Sequence, residues 1–299
     1  MIIKIENDKP AILRKNVVPD VIFNRFDILY GTNFDLYKIS GSDVEHYIPV
    51  HRRWSKLYLG MYMMDIDEVL ARDFIDFCFR RYKFTFKIEV KHCQTRIDNI
   101  APGPHWHINL PSSIEEFDKT LSNKTRYNTK WYPKKIIKDF GTYEIRRVPA
   151  EELTQEIVDT FHAFKKDRYN TDHSTISPAE YVLKSHITEA YVLYLPETIG
   201  AILFLSCTKN NAFLENITYN PEFASYSLGS VLYHHTIKKL ISSGMKNLFL
   251  LGGNLEYKKR FNGQETTTYT GASYRKRPSF LVALRGFLNI FNDNNRDTP

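Results

Sequence analysis

The chain has 299 residues, 42 % of them apolar and 25 % charged, with a formal charge of +7. At about 150 residues per domain this is two domains or one large one, and the composition excludes a disordered, collagen-like or low-complexity chain. No stretch approaches the roughly 20 apolar residues of a spanning helix, and the first residues lack the apolar core of a signal peptide, so a cytoplasmic protein is expected, working in solution or at the inner face of the membrane.

Three cysteines, Cys78, Cys93 and Cys207, fall in no Cys-x-x-Cys spacing, which supports neither a disulfide framework nor a zinc knuckle. His105 and His107 share a face if they lie in a strand, but two ligands are too few for a metal, and no metal site is expected. The positive charge is concentrated. Residues 119–147 carry a net +7 and residues 256–285 a net +5, while the remainder is acidic. Two basic patches point to anionic partners such as a phosphate-bearing cofactor, a nucleic acid or a membrane surface.

In chain order, residues 67–82 place Val69, Leu70, Phe74, Phe77 and Cys78 at helical spacing. Residues 83–90 alternate, with Phe84, Phe86, Ile88 and Val90 on one face of a predicted strand. The Pro-Gly-Pro cluster within 101–104 is the clearest break. A short strand at 106–110 follows, then a helix start with Ser112 or Ser113 as cap and Glu116 in the first turn. A basic helix at about 122–138 is expected to bend or restart at Pro133, and Gly141 to release the chain into a strand at 142–148. Residues 150–169 form a helix with Leu153, Ile157, Phe161 and Phe164 on one face, and Ser177-Pro178 opens a shorter one ending near His186.

Strands at 190–195, 199–206 and 212–219 come next, then a helix at 227–243 that is apolar on two sides and ended by Gly244 in the left-handed region. The run 247–251 is continuously apolar, the mark of a central strand, and it ends in Gly252-Gly253. Strand, strand, strand, helix, strand implies a mixed α/β sheet. Glycines at the carboxyl end of a central strand are where backbone meets ligand in open sheets. The loop 220–230 opens the second-half helix. Backbone N–H groups there, among Ser227, Leu228, Gly229 and Ser230, can hold an anion.

The series Ser227-Leu-Gly-Ser-Val-Leu232, Gly244, Leu250-Leu-Gly-Gly253 and Tyr257-Lys-Lys-Arg-Phe261, with Ile108 to Phe117 and Leu121 to Arg126 upstream, resembles the BioF2-like acetyltransferase domains of the GNAT superfamily. These are similar to the Fem-type peptidyl transferases and the CelD-type envelope proteins. The resemblance covers about residues 105–277. It implies a GNAT-like mixed sheet that splays open and is flanked by helices, with acetyl-coenzyme A or another acyl-coenzyme A lying between strands and its pyrophosphate at the helix N-terminus. Aligned on Gly229, the superfamily's usual Arg or Gln falls on Ala224 and its first Gly on Ser227; Arg126 or Lys130 is a candidate to replace the missing phosphate contact. Residues 1–104 read as a degenerate GNAT-like half or a scaffold, and 278–299 as an amphipathic tail able to lie on a membrane.

The implied reaction is acyl transfer to an amine, with an amino sugar of envelope polysaccharide as the acceptor. Such a reaction needs a base for the amine and an acid for the leaving thiolate. Glu215, mid-strand among Phe213, Leu214 and Ile217, is either that base or half of a buried ion pair. Tyr257 is the candidate acid, and Lys258 would hold phosphate or the acyl carbonyl. Asn216, Tyr219 and His173 are candidates to bind the acceptor; Asp172, His173 and His186 lie in or near the loop that the resemblance places facing the acceptor and are fallback candidates for the base. Two other readings stand beside this one. A Fem-type enzyme would take its donor from aminoacyl-tRNA, using the basic helix with Tyr127, Trp131 and Tyr132 interleaved; a non-catalytic member would bind an envelope partner.

Overall fold

The structure is a computed structural model and describes residues 2–5, 34–40, 45–98, 100–169, 177–185, 187–208, 210–252 and 256–275. It divides into two compact units, residues 1–104 with 266–299 and residues 105–265.

In the first unit, strands β1 (Ile2–Ile5), β2 (Asp35–Ser40), β3 (Glu45–Arg53), β4 (Lys56–Leu59), β5 (Lys87–Cys93) and β12 (Gln264–Tyr274) hydrogen-bond in that order. All pairs are antiparallel except β4 with β5. Helix α1 (Glu68–Arg81) is capped by Asp67, whose side chain accepts from the Val69 and Leu70 amides. It buries Phe74, Ile75 and Cys78 against Ile48, Leu57, Ile88 and Val90. The sequence places the following strand too early. Phe84 is exposed, and pairing starts only at Lys87, because Arg275 occupies the carbonyls of Phe79, Tyr82 and Thr85 just upstream.

In the second unit the order is β6 (Pro102–Asn109), β11 (Asn247–Gly252), β10 (Asn211–Tyr219), β9 (Thr198–Cys207), β8 (Glu189–Leu195) and β7 (Glu144–Pro149). The Pro-Gly-Pro cluster is not a turn but the start of β6, a position where proline's missing donor is tolerated. The pairs are antiparallel except β10 with β11, so the sheet is mixed. Alternation on β9 separates two cores. Leu203 and Leu205 face one side with Leu228, Leu232 and Ile237 of helix α6 (Leu228–Ser242). Ile202 and Phe204 face the other, with Ile157 and Phe161 of helix α4 (Gln155–Tyr169) and Tyr181 of helix α5 (Pro178–Ser185).

Helix α2 (Ile114–Thr120) is capped by Ser113, as its sequence signals. The basic helix α3 (Asn123–Phe140) neither breaks nor restarts at Pro133. One helix of 18 residues runs through it, capped by Ser122 and ended by Gly141 at φ +79°. Proline removes one intrahelical hydrogen bond, and two good caps with a buried Ile136 contact offset that loss. Gly244, at φ +78°, ends α6 as expected.

Candidate active site

The site is made by a split in the second unit's sheet. Strands β10 and β11 pair in parallel at Asn211–Asn247, Ala212–Leu248 and Phe213–Phe249, and not beyond. Just past that point β10 carries a bulge. Leu214 faces Leu205 and Asn216 faces Phe204, so Glu215 is the extra residue between them. Bulges bend a strand and re-aim a side chain. On β11 the pairing with β6 also slips, between Phe249 and Leu251, and Leu251 takes a left-handed φ of +59°. The strands part, and a cavity of about 650 Å³ opens between Leu214–Ile217 on one wall and Leu250–Gly252 on the other.

Eight of the residues singled out in the sequence line this cavity: Glu215, Asn216, Tyr219, Ser227, Gly229, Ser230, Tyr257 and Lys258. Ala224 lines it too, where the resemblance leads one to expect Arg or Gln. Leu228 is different. Its side chain is wholly buried in the hydrophobic core beside Gly200, leaving only its backbone for a ligand. Arg126 bonds Asn123 on its own helix, and neither it nor Lys130 reaches the cavity. The cations that do are Lys165, Lys258 and Arg260. His173, Asp172, His186, Gly253 and the tail at 278–299 lie outside the described residues.

At the start of α6, Ser227 sits in the left-handed region (φ +49°, ψ +41°), and its hydroxyl makes no capping bond. It is therefore not an ordinary serine cap. Its carbonyl takes the amides of Ser230 and Val231, at 2.9 and 3.1 Å. The Leu228 and Gly229 amides have no acceptor among the described residues, as the first turn of a helix leaves them. Gly229 is packed under a ring: a Cβ built there would lie 3.1 Å from Tyr219 Cδ1. The helix end thus offers free donors with a positive dipole toward the cavity.

Glu215 Oε1 accepts from Ser206 Oγ at 2.8 Å. Lys258 is 1 % exposed, and its Nζ donates to the carbonyls of Leu251 at 3.3 Å and Gly252 at 2.5 Å. Burial lowers the pKa of this ammonium to about 8. Tyr257, on the short helix α7 (Glu256–Arg260), packs edge-on against Tyr233 with ring centroids 5.4 Å apart. Tyr233 is buried, its hydroxyl has no hydrogen-bond partner among the described residues, and burial pushes its phenol well above the usual tyrosine range. Neither Tyr233 nor Lys165 is legible in the sequence as a site residue. Tyr233 sits in a run of core residues on α6, and Lys165 follows the apolar face of α4 by one position.

Burial also raises all three thiols, Cys93 to about 11 and Cys207 to about 12, as suits structural cysteines. Among the described residues no group of three or more His, Cys, Asp or Glu could hold a metal ion, and no helix is long and apolar enough to cross a membrane.

Residues 123–259 match the family model described as an acetyltransferase (GNAT) domain. No curated protein matches the sequence. Among solved structures, FemX superposes with a TM-score of 0.56 at 8 % identity, over 84 % of this chain and 90 % of that one. A conserved protein of unknown function from Bacteroides thetaiotaomicron gives 0.53 at 10 %, over 92 % and 100 %. The C-terminal domain of a protein assigned as a lysylphosphatidylglycerol synthetase, from Agrobacterium fabrum, gives 0.51 at 12 %, over 82 % and 85 %. The match over residues 123–259 and the split mixed sheet of the second unit support an acyltransferase with a GNAT-like fold.

Proposed function

We propose that this chain transfers an acyl group, in the first place acetyl, from acyl-coenzyme A to an amine. The observation that carries the reading is the wedge between β10 and β11, with the uncapped N-terminus of α6 at its edge. The residues present fit such a co-substrate. Two amide donors are free, Gly229 leaves the backbone approachable, and Lys165, Lys258 and Arg260 supply positive charge where Ala224 does not. The Leu228 and Gly229 amides and the Ser227 and Ser230 hydroxyls would hold the phosphates. When bound, the thioester supplies an activated acyl carbonyl.

Glu215 accepts the proton of the acceptor amine at a carboxylate oxygen, with the Ser206 hydroxyl orienting it. Tyr257 holds a phenolic proton at Oη for the departing sulfur. Lys258 sets a cation against the carbonyl ends of β11, where the low dielectric of a cavity walled by Leu214, Leu250 and Phe261 strengthens its field. Asn216 and Tyr219 are placed to orient the acceptor. On the resemblance to BioF2-like and CelD-type domains, that acceptor is an amino sugar of envelope polysaccharide, and the site of action is the cytoplasm.

Thermal melting decides between donors. Acetyl-coenzyme A at about 100 times its dissociation constant adds about 2.7 kcal/mol, a shift of a few degrees. No shift at millimolar acetyl-coenzyme A, with a gel shift on aminoacyl-tRNA, would replace this reading with Fem-type transfer.

A further inference from the structure

The outer face of α3 has no role in the cavity, and its composition is unusual for a surface helix. Tyr127, Lys130, Trp131, Lys134, Ile137 and Lys138 recur at spacings of three and four residues, so they form one stripe along the helix. Tyr127 is 64 %, Trp131 40 % and Ile137 51 % exposed, and the three lysines are exposed beside them. The stripe runs about 16 Å at 1.5 Å per residue. The opposite face is engaged. Thr125 and Ile136 are buried, and Tyr132 and Phe140 pack on the core beneath α6.

An ordinary solvated basic face intersperses acids at the fourth residue. Here Lys130, Lys134 and Lys138 follow one another at that spacing, where like charges repel. None of the three pairs with a carboxylate among the described residues. Asp139, the helix's acid, accepts instead from Tyr226. Lys135 at the stripe's edge is engaged as well, its ammonium lying over the Tyr226 ring at 4.3 Å and the Trp131 ring at 5.6 Å. The stripe is thus an unneutralised row of ammonium groups interleaved with three exposed apolar side chains, on a helix capped at both ends and therefore rigid.

We propose that this face of α3 lies flat on an anionic phospholipid surface. Tyr and Trp settle at the headgroup level, Ile137 enters the acyl boundary, and the lysines meet lipid phosphates. A nucleic acid would use the charge and stack on the rings, but it has no use for an exposed aliphatic group, and it favours the forked guanidinium over lysine. The inference is independent of the acyl-transfer reading and survives if that reading fails.

The test is co-sedimentation of the full chain with vesicles of phosphatidylcholine, with and without phosphatidylglycerol. Pelleting is expected only with phosphatidylglycerol, declining as salt rises. At about fivefold per lysine, Lys130→Ser with Lys134→Ser should weaken binding by roughly 25-fold. Trp131→Ser with Ile137→Ser should abolish it at low salt. All four side chains are exposed, so circular dichroism and melting should stay as in the parent and report folding separately. Equal pelleting of parent and variants, or equal pelleting on phosphatidylcholine alone, overturns the proposal. Retention of transfer RNA that needs Lys130 and Lys134 but ignores Ile137→Ser, without vesicle binding, overturns it in favour of RNA.

Discussion

Glu215 is the residue we propose as the base, and the bulge in β10 falls at its position. A regular β10 would alternate Leu214, Glu215 and Asn216 between faces. The extra residue breaks that alternation where the strand borders the cavity, and Leu214, Glu215, Asn216 and Ile217 all line it. If Glu215 is the base, Glu215→Gln keeps the acceptor for Ser206 Oγ but cannot take a proton. Turnover should then fall about 10²- to 10⁴-fold with coenzyme A affinity nearly unchanged. A lowered melting point with normal turnover would instead mark a structural ion-pair partner. Lys258 carries a second prediction. An unfolded lysine titrates near 10.4, and this one titrates at about 8 because burial disfavours its charge. Between those values the unfolded chain binds more protons than the folded one, so stability rises with pH over that window and is lowest below it. Denaturant titrations should show a gain on the order of 2–3 kcal/mol from about pH 7.5 to 10.5. Lys258→Met should flatten the profile; a parent profile already flat would count against the buried ammonium.

The start of α6 is where an element's conformation and its ligand chemistry meet. Ser227 holds a left-handed conformation that costs a non-glycine residue roughly 1–2 kcal/mol, and a glycine there gives part of it back through its freer unfolded chain. Ser227→Gly should therefore raise the melting point slightly while weakening coenzyme A binding by the loss of one phosphate-facing hydroxyl. Gly229→Val should weaken binding with no gain in stability. Its branched side chain must displace the Tyr219 ring from 3.1 Å, and calorimetry should show affinity down about tenfold or more, 1.4 kcal/mol, with the fold retained. Near-normal binding by Gly229→Val would remove the helix end from the site. The same element scale explains two misreadings of the sequence. Pro133 suggested a break in α3, but tertiary packing of Ile136 and two end caps hold a single helix. β12 escaped notice because Gln264–Tyr274 is polar and threonine-rich, and its pairing with β5 is a long-range fact.

At the scale of the whole molecule, binding in the cavity should be a local event. Hydrogen exchange with acetyl-coenzyme A should gain protection over 214–230, 250–252 and 256–261, the segments that line or support the wedge. Strands β2 to β4 in the first unit contribute no residue to this cavity and should exchange unchanged. Protection confined to β2–β4 would relocate the ligand site altogether.

Much of the architecture is local and was legible for that reason. The Ser113 cap, the left-handed Gly244 and the unbroken apolar run of 247–251 each depend on neighbours a few residues away. The position of the loop proposed to hold an anion was legible too, because small residues before an apolar helix are a signature in one dimension. What the sequence could not disclose is what depends on pairs far apart along the chain. The bulge that re-aims Glu215 exists only against Leu205 and Phe204, and the wedge only where β10 and β11 stop pairing after Phe213 and Phe249. Leu228 reads as one of four loop residues, yet the helix turns its side chain into the core. Tyr233 reads as core, yet it lines the cavity with an unmatched hydroxyl. Lys258 reads as one of three consecutive cations; only its burial, and the carbonyls of Leu251 and Gly252, distinguish it from Lys259 and Arg260. Local chemistry determined the elements, and long-range packing decided which of their side chains face one another across the split sheet.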